Sequence, residues 1–225
     1  FQAEDGIRDR SPSRGLGDVY KRQDTHIRLT LTRGEKVTSG MDSRLNQSGC
    51  CLIVLAEWKK KVYDFSKGIK AISSSIRRSI PAFLDSKIHH NNMLSLVIAK
   101  MHANIAGYDA AVMLDDRGFV AELNDTNLFM VKKNKVYTPF PHACLPGITR
   151  GTFMEILKDN NIEIEERDLT IVEFINADLV FATGTNGEIT PVTQMDGRDI
   201  KCNLDFLEKI KNLFETKLPS LCEPL

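Results

Sequence analysis

From residue 69 to the end of the chain, apolar runs of strand length alternate with stretches of helical spacing, and this alternation constrains the fold more than any other feature. The runs between turn residues predict strands at residues 69–76, 110–114, 119–122, 127–132, 135–138, 162–166, 179–183 and 189–195. Helices are predicted at residues 93–105, 151–158, 169–176 and 204–218. We expect Gly107 to end the first helix and Thr149 to cap the second. This mixture indicates an α/β or α+β fold.

The chain before residue 69 has a different pattern. Residues 26–33 alternate with period two and end at Gly34, which predicts a strand with one buried face. Residues 51–56 are continuously apolar and predict a second, more buried strand. The polar run that follows predicts a linker at 61–67, and residues 68–225 are expected to form a larger domain.

Composition and charge exclude several classes of function. The 225 residues are 42% hydrophobic, with 30 basic against 30 acidic side chains, which is typical of a globular protein of one or two domains. Balanced charge argues against nucleic-acid binding, which needs a concentrated basic face. No apolar run approaches the roughly 18 residues of a membrane span. The five cysteines form no metal-type pair and the histidines show no ligand spacing, so we expect no metal and a reduced intracellular compartment, cytoplasmic or organellar.

Four stretches of the chain carry polar residues and glycines in an order that points to one family. They are residues 86–93 (SKIHHNNM), 119–129 (FVAELNDTNLF), 145–150 (LPGITR) and 183–192 (TGTNGEITPV). Together they resemble the class IV (fold type IV) pyridoxal-phosphate enzymes, the group of D-amino-acid and branched-chain aminotransferases. The resemblance, from about residue 26 to residue 198, implies a partial small α/β domain followed by a larger mixed α/β domain whose strands form a pseudo-barrel.

Lys87 lies in a predicted loop with His89 and His90, just before the first predicted helix. An amine that forms a covalent bond with an aldehyde must lose its proton near neutral pH, which partial burial and nearby cationic groups such as His89 and His90 favour. Taken alone, a lysine in this position is more often a solvated side chain. The resemblance implies that Lys87 carries pyridoxal 5'-phosphate covalently. Met93 stands where many family members have a Tyr beside the cofactor.

Glu122 and Asn127 complete a Glu-x-x-x-x-Asn pattern at the junction of two predicted strands. A fixed carboxylate can hold the proton on the ring nitrogen of the cofactor. By resemblance Glu122 has this role, and Asn127 ties the following strand in place. Without the other motifs, Glu122 would be interpreted as a solvated carboxylate at a strand end.

Two glycine-containing loops are candidates for holding the cofactor phosphate. Backbone N–H groups at a helix start bind phosphate, and a glycine permits close approach. Gly147 precedes a predicted helix, although an ordinary helix-entry turn would have the same pattern. The resemblance assigns the ring face to Leu145, the phosphate to Gly147, Ile148, Thr149, Gly184 and Thr185, and the surroundings of the substrate carboxylate to Thr185 and Asn186.

An amino-acid substrate needs an arginine for its carboxylate. Arg33 occupies the place used by D-amino-acid aminotransferases and Arg28 the place used by branched-chain aminotransferases. Being five residues apart on one strand, they are expected on opposite faces, and Arg33 is preferred. Arg77 and Arg78 are interpreted as a solvated pair that alternatively approaches the site.

The resemblance implies transamination between an amino acid and an α-keto acid by a homodimer. The alternatives are a lyase of the aminodeoxychorismate-lyase kind and an inactive fragment of the same fold. The family begins upstream of His26, so residues 24–60 are expected to be a remnant of its small domain, and any targeting signal is unknown. Residues 1–23 resemble a translated library adaptor, that is, a non-native extension, or a native disordered tail.

Overall fold

The computed structural model describes residues 25–58, 67–185 and 188–221. The chain divides into two compact units, residues 1–62 and 63–225. Most of the predicted linker and the whole of the extension at residues 1–23 lie outside the described residues, so the predicted domain boundaries stay a prediction. Within the described ranges, the helices are too short or too polar to cross a membrane.

The first unit contains two long strands at the positions that the sequence predicts. Strands β1 (Thr25–Thr32) and β2 (Cys51–Trp58) pair antiparallel over their full length. Gly34 follows β1 with a φ of +81°, and a Cβ there would lie 1.9 Å from the carbonyl oxygen of Gly49. This turn therefore requires glycine.

The predicted burial of these strands is wrong. Leu29 and Leu31 of β1 are 66% and 70% exposed, and the apolar residues of β2 from Leu52 to Leu55 are exposed as well. Within the described part of this unit the sheet has two strands, and two strands provide no second layer against which an apolar face can be buried.

The second unit is built on a mixed sheet of nine strands within the described ranges. The strands are β3 (Ile69–Ser73), β4 (Ala110–Leu114), β5 (Val120–Leu123), β6 (Asn127–Lys132), β7 (Lys135–Thr138), β8 (Ile164–Glu166), β9 (Leu179–Gly184), β10 (Glu188–Met195) and β11 (Arg198–Asp199). Their order in the sheet is β5-β4-β3-β10-β9-β6-β7-β8, with β11 paired to β10. The pairs β3–β4, β3–β10 and β7–β8 are parallel, and the others are antiparallel.

Chain connectivity forces this sheet to curl. Strands β5 and β6 are five steps apart in the sheet order, which in a flat sheet would be about 24 Å. The connection of residues 124–126 between them reaches only about 14 Å. A hydrogen bond of 3.0 Å between Asn127 of β6 and Glu122 of β5 joins the two strands directly. The predicted pseudo-barrel of strands is therefore confirmed as a curled half-barrel.

Both faces of the central strands are buried. On β6 and β9, Leu128, Met130, Val180 and Ala182 belong to one core, and the alternate residues belong to another that includes stacked Phe129 and Phe181. Helices α2 (Ile148–Asp159) and α4 (Leu204–Leu221) cover the second face, and α3 (Ile171–Ile175) packs on the first. Strands buried on two faces have continuous apolar sequences, as these do.

Helix α1 (Leu94–Ile105) ends where the sequence predicts, with Gly107 at a φ of +78° just beyond it. Its small residues Ala99 and Ala103 pack against β4. The larger residues of its apolar stripe, here called the α1 stripe, lie on the opposite side and are exposed: Leu94, Val97, Met101 and Ile105. Small side chains allow the helix to approach the sheet closely, which leaves the larger ones outside.

Helix α2 begins earlier than predicted. Its first residue is Ile148 instead of Gly151, and Gly147 instead of Thr149 occupies the N-cap position. The predicted Thr149 cap is therefore wrong. Gly147 has extended backbone angles and makes no side-chain cap, so the first turn of α2 starts without one.

Candidate active site

The predicted site residues of the second unit lie on its curled sheet and on the connections from it. Lys87 is in the connection from β3 to α1, Glu122 is on β5, and Asn127 is the first residue of β6. Leu145, Gly147, Ile148 and Thr149 lie at the entry to α2, and Gly184 and Thr185 lie at the end of β9.

Glu122 is buried and is held from two sides. The Arg78 guanidinium is 2.7 Å from Glu122 Oε1, and Asn127 Nδ2 donates to Glu122 Oε2 at 3.0 Å. Burial raises the pKa of the Glu122 carboxyl to about 7, and the positive charge of Arg78 opposes that rise. The interpretation of Glu122 as a solvated strand-end carboxylate is excluded.

Arg78 belongs to this site, which the sequence indicated only as the alternative for Arg77 and Arg78. The side chain is 9% exposed, so the preferred interpretation of Arg77 and Arg78 as a solvated pair is wrong for Arg78. Besides its ion pair with Glu122, Arg78 Nε donates to the Ala143 carbonyl at 3.2 Å. A buried carboxylate needs a buried partner, so a buried Glu122 would indicate that a cation lies beside it. The sequence does not indicate which arginine this is.

Asn127 links Glu122 to the entry of α2. The same amide nitrogen that donates to Glu122 also donates to the Leu145 carbonyl at 2.9 Å. The amide oxygen lies against Gly147, where a Cβ would be 2.4 Å from it. The predicted glycine is therefore needed for close approach between Asn127 and the chain, although its φ is −60° and favours no particular residue.

The first turn of α2 offers backbone donors. The first N–H groups of an α-helix have no partner within the helix, and Gly147 supplies no side-chain cap. Ile148 is 89% exposed, so this end of the helix opens to solvent. An uncapped and accessible helix start can bind a phosphate group.

The end of β9 lies beside the β5–β6 turn. A Cβ on Gly184 would be 2.8 Å from Thr126 Cγ2. Thr185 is exposed, and Asn186 lies outside the described residues. Thr183, the cross-strand partner of Asn127, is 2% exposed, and its hydroxyl has no hydrogen-bond partner among the described residues.

Lys87 lies in an exposed turn whose backbone is well fixed. Its N–H donates to Asp85 Oδ1 at 3.0 Å, and the buried Ser86 hydroxyl donates to the Ser79 carbonyl. The same connection is tied to Glu122 through Arg78. Among the described residues, the Lys87 amine makes no hydrogen bond or ion pair. The structure thus brings together Glu122, Asn127, Leu145 and Gly147, and places Lys87 on a connection anchored to them.

Arg28 and Arg33 belong to the first unit. Both are exposed; Arg28 is on β1, and Arg33 follows the last residue of that strand. The prediction that they point to opposite faces of one strand does not apply, because Arg33 lies beyond the residues of β1 that pair with β2.

A cluster of possible metal ligands lies elsewhere in the second unit. Oxygen atoms of Asp115 and Asp116 and a ring nitrogen of His142 lie within 4.8 Å of one another. Asp115 already accepts hydrogen bonds from the backbone of Arg117 and Phe119 at 3.0 and 2.8 Å and from the Arg117 side chain. These contacts give Asp115 a structural role in the β4–β5 turn, and His142 Nε2 lies 3.5 Å from Asp116 Oδ1.

Comparisons with known proteins show which family this chain is similar to. The family described as "Amino-transferase class IV" matches residues 13–195. "Branched-chain-amino-acid aminotransferase-like protein 2" of Arabidopsis thaliana is 56% identical over 176 residues, which are 78% of this chain but 32% of that relative. "D-alanine aminotransferase" of Bacillus licheniformis is 32% identical over 197 residues, 85% of this chain and 66% of that relative.

Solved structures share the fold. A T.th. branched-chain amino acid aminotransferase, complexed with N-(5'-phosphopyridoxyl)-L-glutamate, superposes with a TM-score of 0.78 at 30% identity, covering 90% of this chain and 66% of that one. The branched-chain amino acid aminotransferase from Escherichia coli superposes with a TM-score of 0.76 at 29% identity, covering 88% of this chain and 66% of that one. The predicted fold type and family are confirmed. The chain belongs to the class IV amino-transferase family.

Proposed function

We propose that the protein is a pyridoxal-phosphate-dependent aminotransferase that moves an amino group between an amino acid and an α-keto acid. The observation that carries the proposal is the buried Glu122, bound by Arg78 and Asn127, next to the open start of α2. The amino acid is a D-amino acid or a branched-chain L-amino acid. The names of the relatives support both substrate classes.

The residues present fit this cofactor at two points. Glu122 offers a buried carboxylate for a protonated ring nitrogen, and the positive ring would favour its ionised form despite the raised pKa. The start of α2 at Ile148 and Thr149 offers N–H groups for the phosphate, with Gly184 and Thr185 as the second contact, and Leu145 would lie against the ring. When bound, pyridoxal phosphate supplies an aldehyde that reacts with amines and a ring that accepts the electron pair left at Cα.

Lys87 has two roles in the proposal. Its amine would hold the cofactor through a covalent bond, and the same amine, when free, would move the proton at the substrate Cα. The anchored turn supports these roles by fixing the backbone from which the Lys87 side chain extends. Arg33, with Arg28 as the alternative, and Asn186 stay predictions for the substrate carboxylate.

We also propose a homodimer, as the sequence resemblance implies. The exposed α1 stripe supports association, because four large apolar side chains on one face of a helix are costly in water. The reduced intracellular location stays a prediction from the cysteine pattern.

A panel of L- and D-amino acids tests the proposed function. The full chain is loaded with cofactor, and its absorption is followed as each donor and then an α-keto acid is added. We expect at least one donor to convert the cofactor to its amine form, and the keto acid to restore the original spectrum while gaining the amino group. Bound cofactor with no amino transfer from any donor would contradict the proposal; consumption of a donor without amination of the keto acid would favour the lyase.

A further inference from the structure

Arg150 is buried in the first turn of α2, where an arginine without compensating contacts would be destabilising. It is the third residue of α2 and 5% exposed. The start of a helix carries partial positive charge, so a cation there is destabilising, and burial adds a desolvation cost. The contacts of Arg150 must therefore offset both effects.

These contacts tie the first turn of α2 to the ends of two strands. Arg150 Nη2 donates to the Pro139 carbonyl at 2.9 Å and to Glu166 Oε1 at 2.6 Å. Pro139 follows β7, and Glu166 is the last residue of β8, which pairs parallel to β7. Arg150 thus bridges the end of this strand pair and the helix.

The connection of residues 139–147, which leads into α2, is consequently held at both ends. At its start Arg150 binds Pro139, and further along Arg78 and Asn127 bind the carbonyls of Ala143 and Leu145. The contacts of Arg78 and Asn127 also involve Glu122, whereas those of Arg150 do not. Arg150 therefore acts on the helix start and not on the ring-nitrogen carboxylate.

We infer that Arg150 is a positioning residue for the phosphate end of the cofactor site, because it fixes the backbone of Gly147, Ile148 and Thr149 relative to Glu122. The inference rests on the proposed function. Loss of Arg150 then weakens binding of a ligand that carries the phosphate, while a ligand without the phosphate is bound as before.

The test compares dissociation constants of the full chain for pyridoxal phosphate and for pyridoxal, which lacks the phosphate. Arg150→Met should raise the dissociation constant for pyridoxal phosphate about tenfold or more and change that for pyridoxal less than about twofold. Arg150→Lys should lie between, because one ammonium cannot reproduce the two contacts of the guanidinium.

Arg167→Lys is the matched control. Arg167 also binds a carbonyl, that of Asp168 at 3.1 Å, and a glutamate, Glu173 at 2.7 Å, but away from the start of α2. We expect both dissociation constants to stay within about twofold of the parent.

Equal weakening of both ligands, or unchanged binding of pyridoxal phosphate, would overturn the inference. If Arg150→Met does not unfold cooperatively, Arg150→Lys and Glu166→Gln decide, since each removes part of the contact and should give a smaller loss specific to the phosphate ligand. A parent chain that binds no pyridoxal phosphate would instead refute the proposed function.

Discussion

At Glu122 the cost of burial competes with a direct ion pair. Burial favours the neutral carboxyl, whereas Arg78 at 2.7 Å favours the carboxylate, and the pKa settles at about 7. The group therefore changes charge near neutral pH. Its titration therefore changes the free energy of unfolding with pH, and this effect can be measured without the cofactor.

We predict that Glu122→Gln alters the pH dependence of stability. The pKa is raised from 4.5 when unfolded to about 7 when folded, so the contribution of this carboxyl to stability is present below pH 4.5 and is lost as the pH rises through 7. Between about pH 5 and about pH 8, denaturation of the ligand-free proteins should show the free energy of unfolding of the parent falling by about 2.5 kcal/mol more than that of the variant. Parallel pH profiles would contradict this prediction.

Replacing the buried threonines Thr183 and Thr138 is expected to change stability in opposite directions. Both are buried, but the Thr138 hydroxyl donates to the Leu128 carbonyl at 2.8 Å, while the Thr183 hydroxyl has no partner among the described residues. Thr183→Val should raise the free energy of unfolding by on the order of 1 kcal/mol, and Thr138→Val should lower it by a similar amount. Chemical denaturation of the ligand-free chain measures both. Equal losses would show that the Thr183 hydroxyl is satisfied.

At the scale of elements, the start of α2 provides a second matched pair. A Cβ at Gly147 would meet Asn127 Oδ1 at 2.4 Å, whereas a Cβ at Gly151 in the same helix meets nothing within 4 Å. Gly147→Ala should displace Asn127 and destabilise the chain by about 1–3 kcal/mol. Gly151→Ala should stabilise it by up to about 1 kcal/mol, because alanine favours helix. Shifts in the same direction, measured by chemical denaturation, would contradict the close contact between Asn127 and Gly147.

The sequence predicted the elements of the second unit other than the two-residue strand β11, because periodicity and turn residues are local signals. Strand β4 at Ala110–Leu114 and the end of α1 before Gly107 have the predicted bounds. The burial of α1 on its alanines was not predictable, because large apolar residues mark a stripe as hydrophobic without saying what covers it. Cap preferences do not indicate the early start of α2, because threonine and glycine are about equally favoured at the N-cap position.

At the scale of the whole molecule, the sequence predicted the site residues through a family resemblance, while their connections are a property of the fold. The ion pair between Arg78 and Glu122 joins residues that are distant along the chain, and it forms only because the sheet brings β5 beside the connection that follows β3. No spacing in the sequence indicates such a contact.

We predict that two copies of the chain associate through the α1 stripe. We expect light scattering to give the mass of a dimer for the parent chain and of a monomer for Val97→Glu. Val172→Glu is the matched control, because Val172 on α3 is 60% exposed and Val97 is 52% exposed, so solvent exposure alone would treat them alike. A monomeric parent, or the same mass for both variants, would contradict the proposed use of the stripe.

Borohydride reduction followed by peptide mapping shows whether the cofactor is attached covalently to Lys87. The full chain is incubated with pyridoxal phosphate, reduced and digested, and the pyridoxyl group is located by mass spectrometry. We predict the label on Lys87. A label on Lys67 or Lys100 instead, or labelling spread evenly over surface lysines, would contradict it.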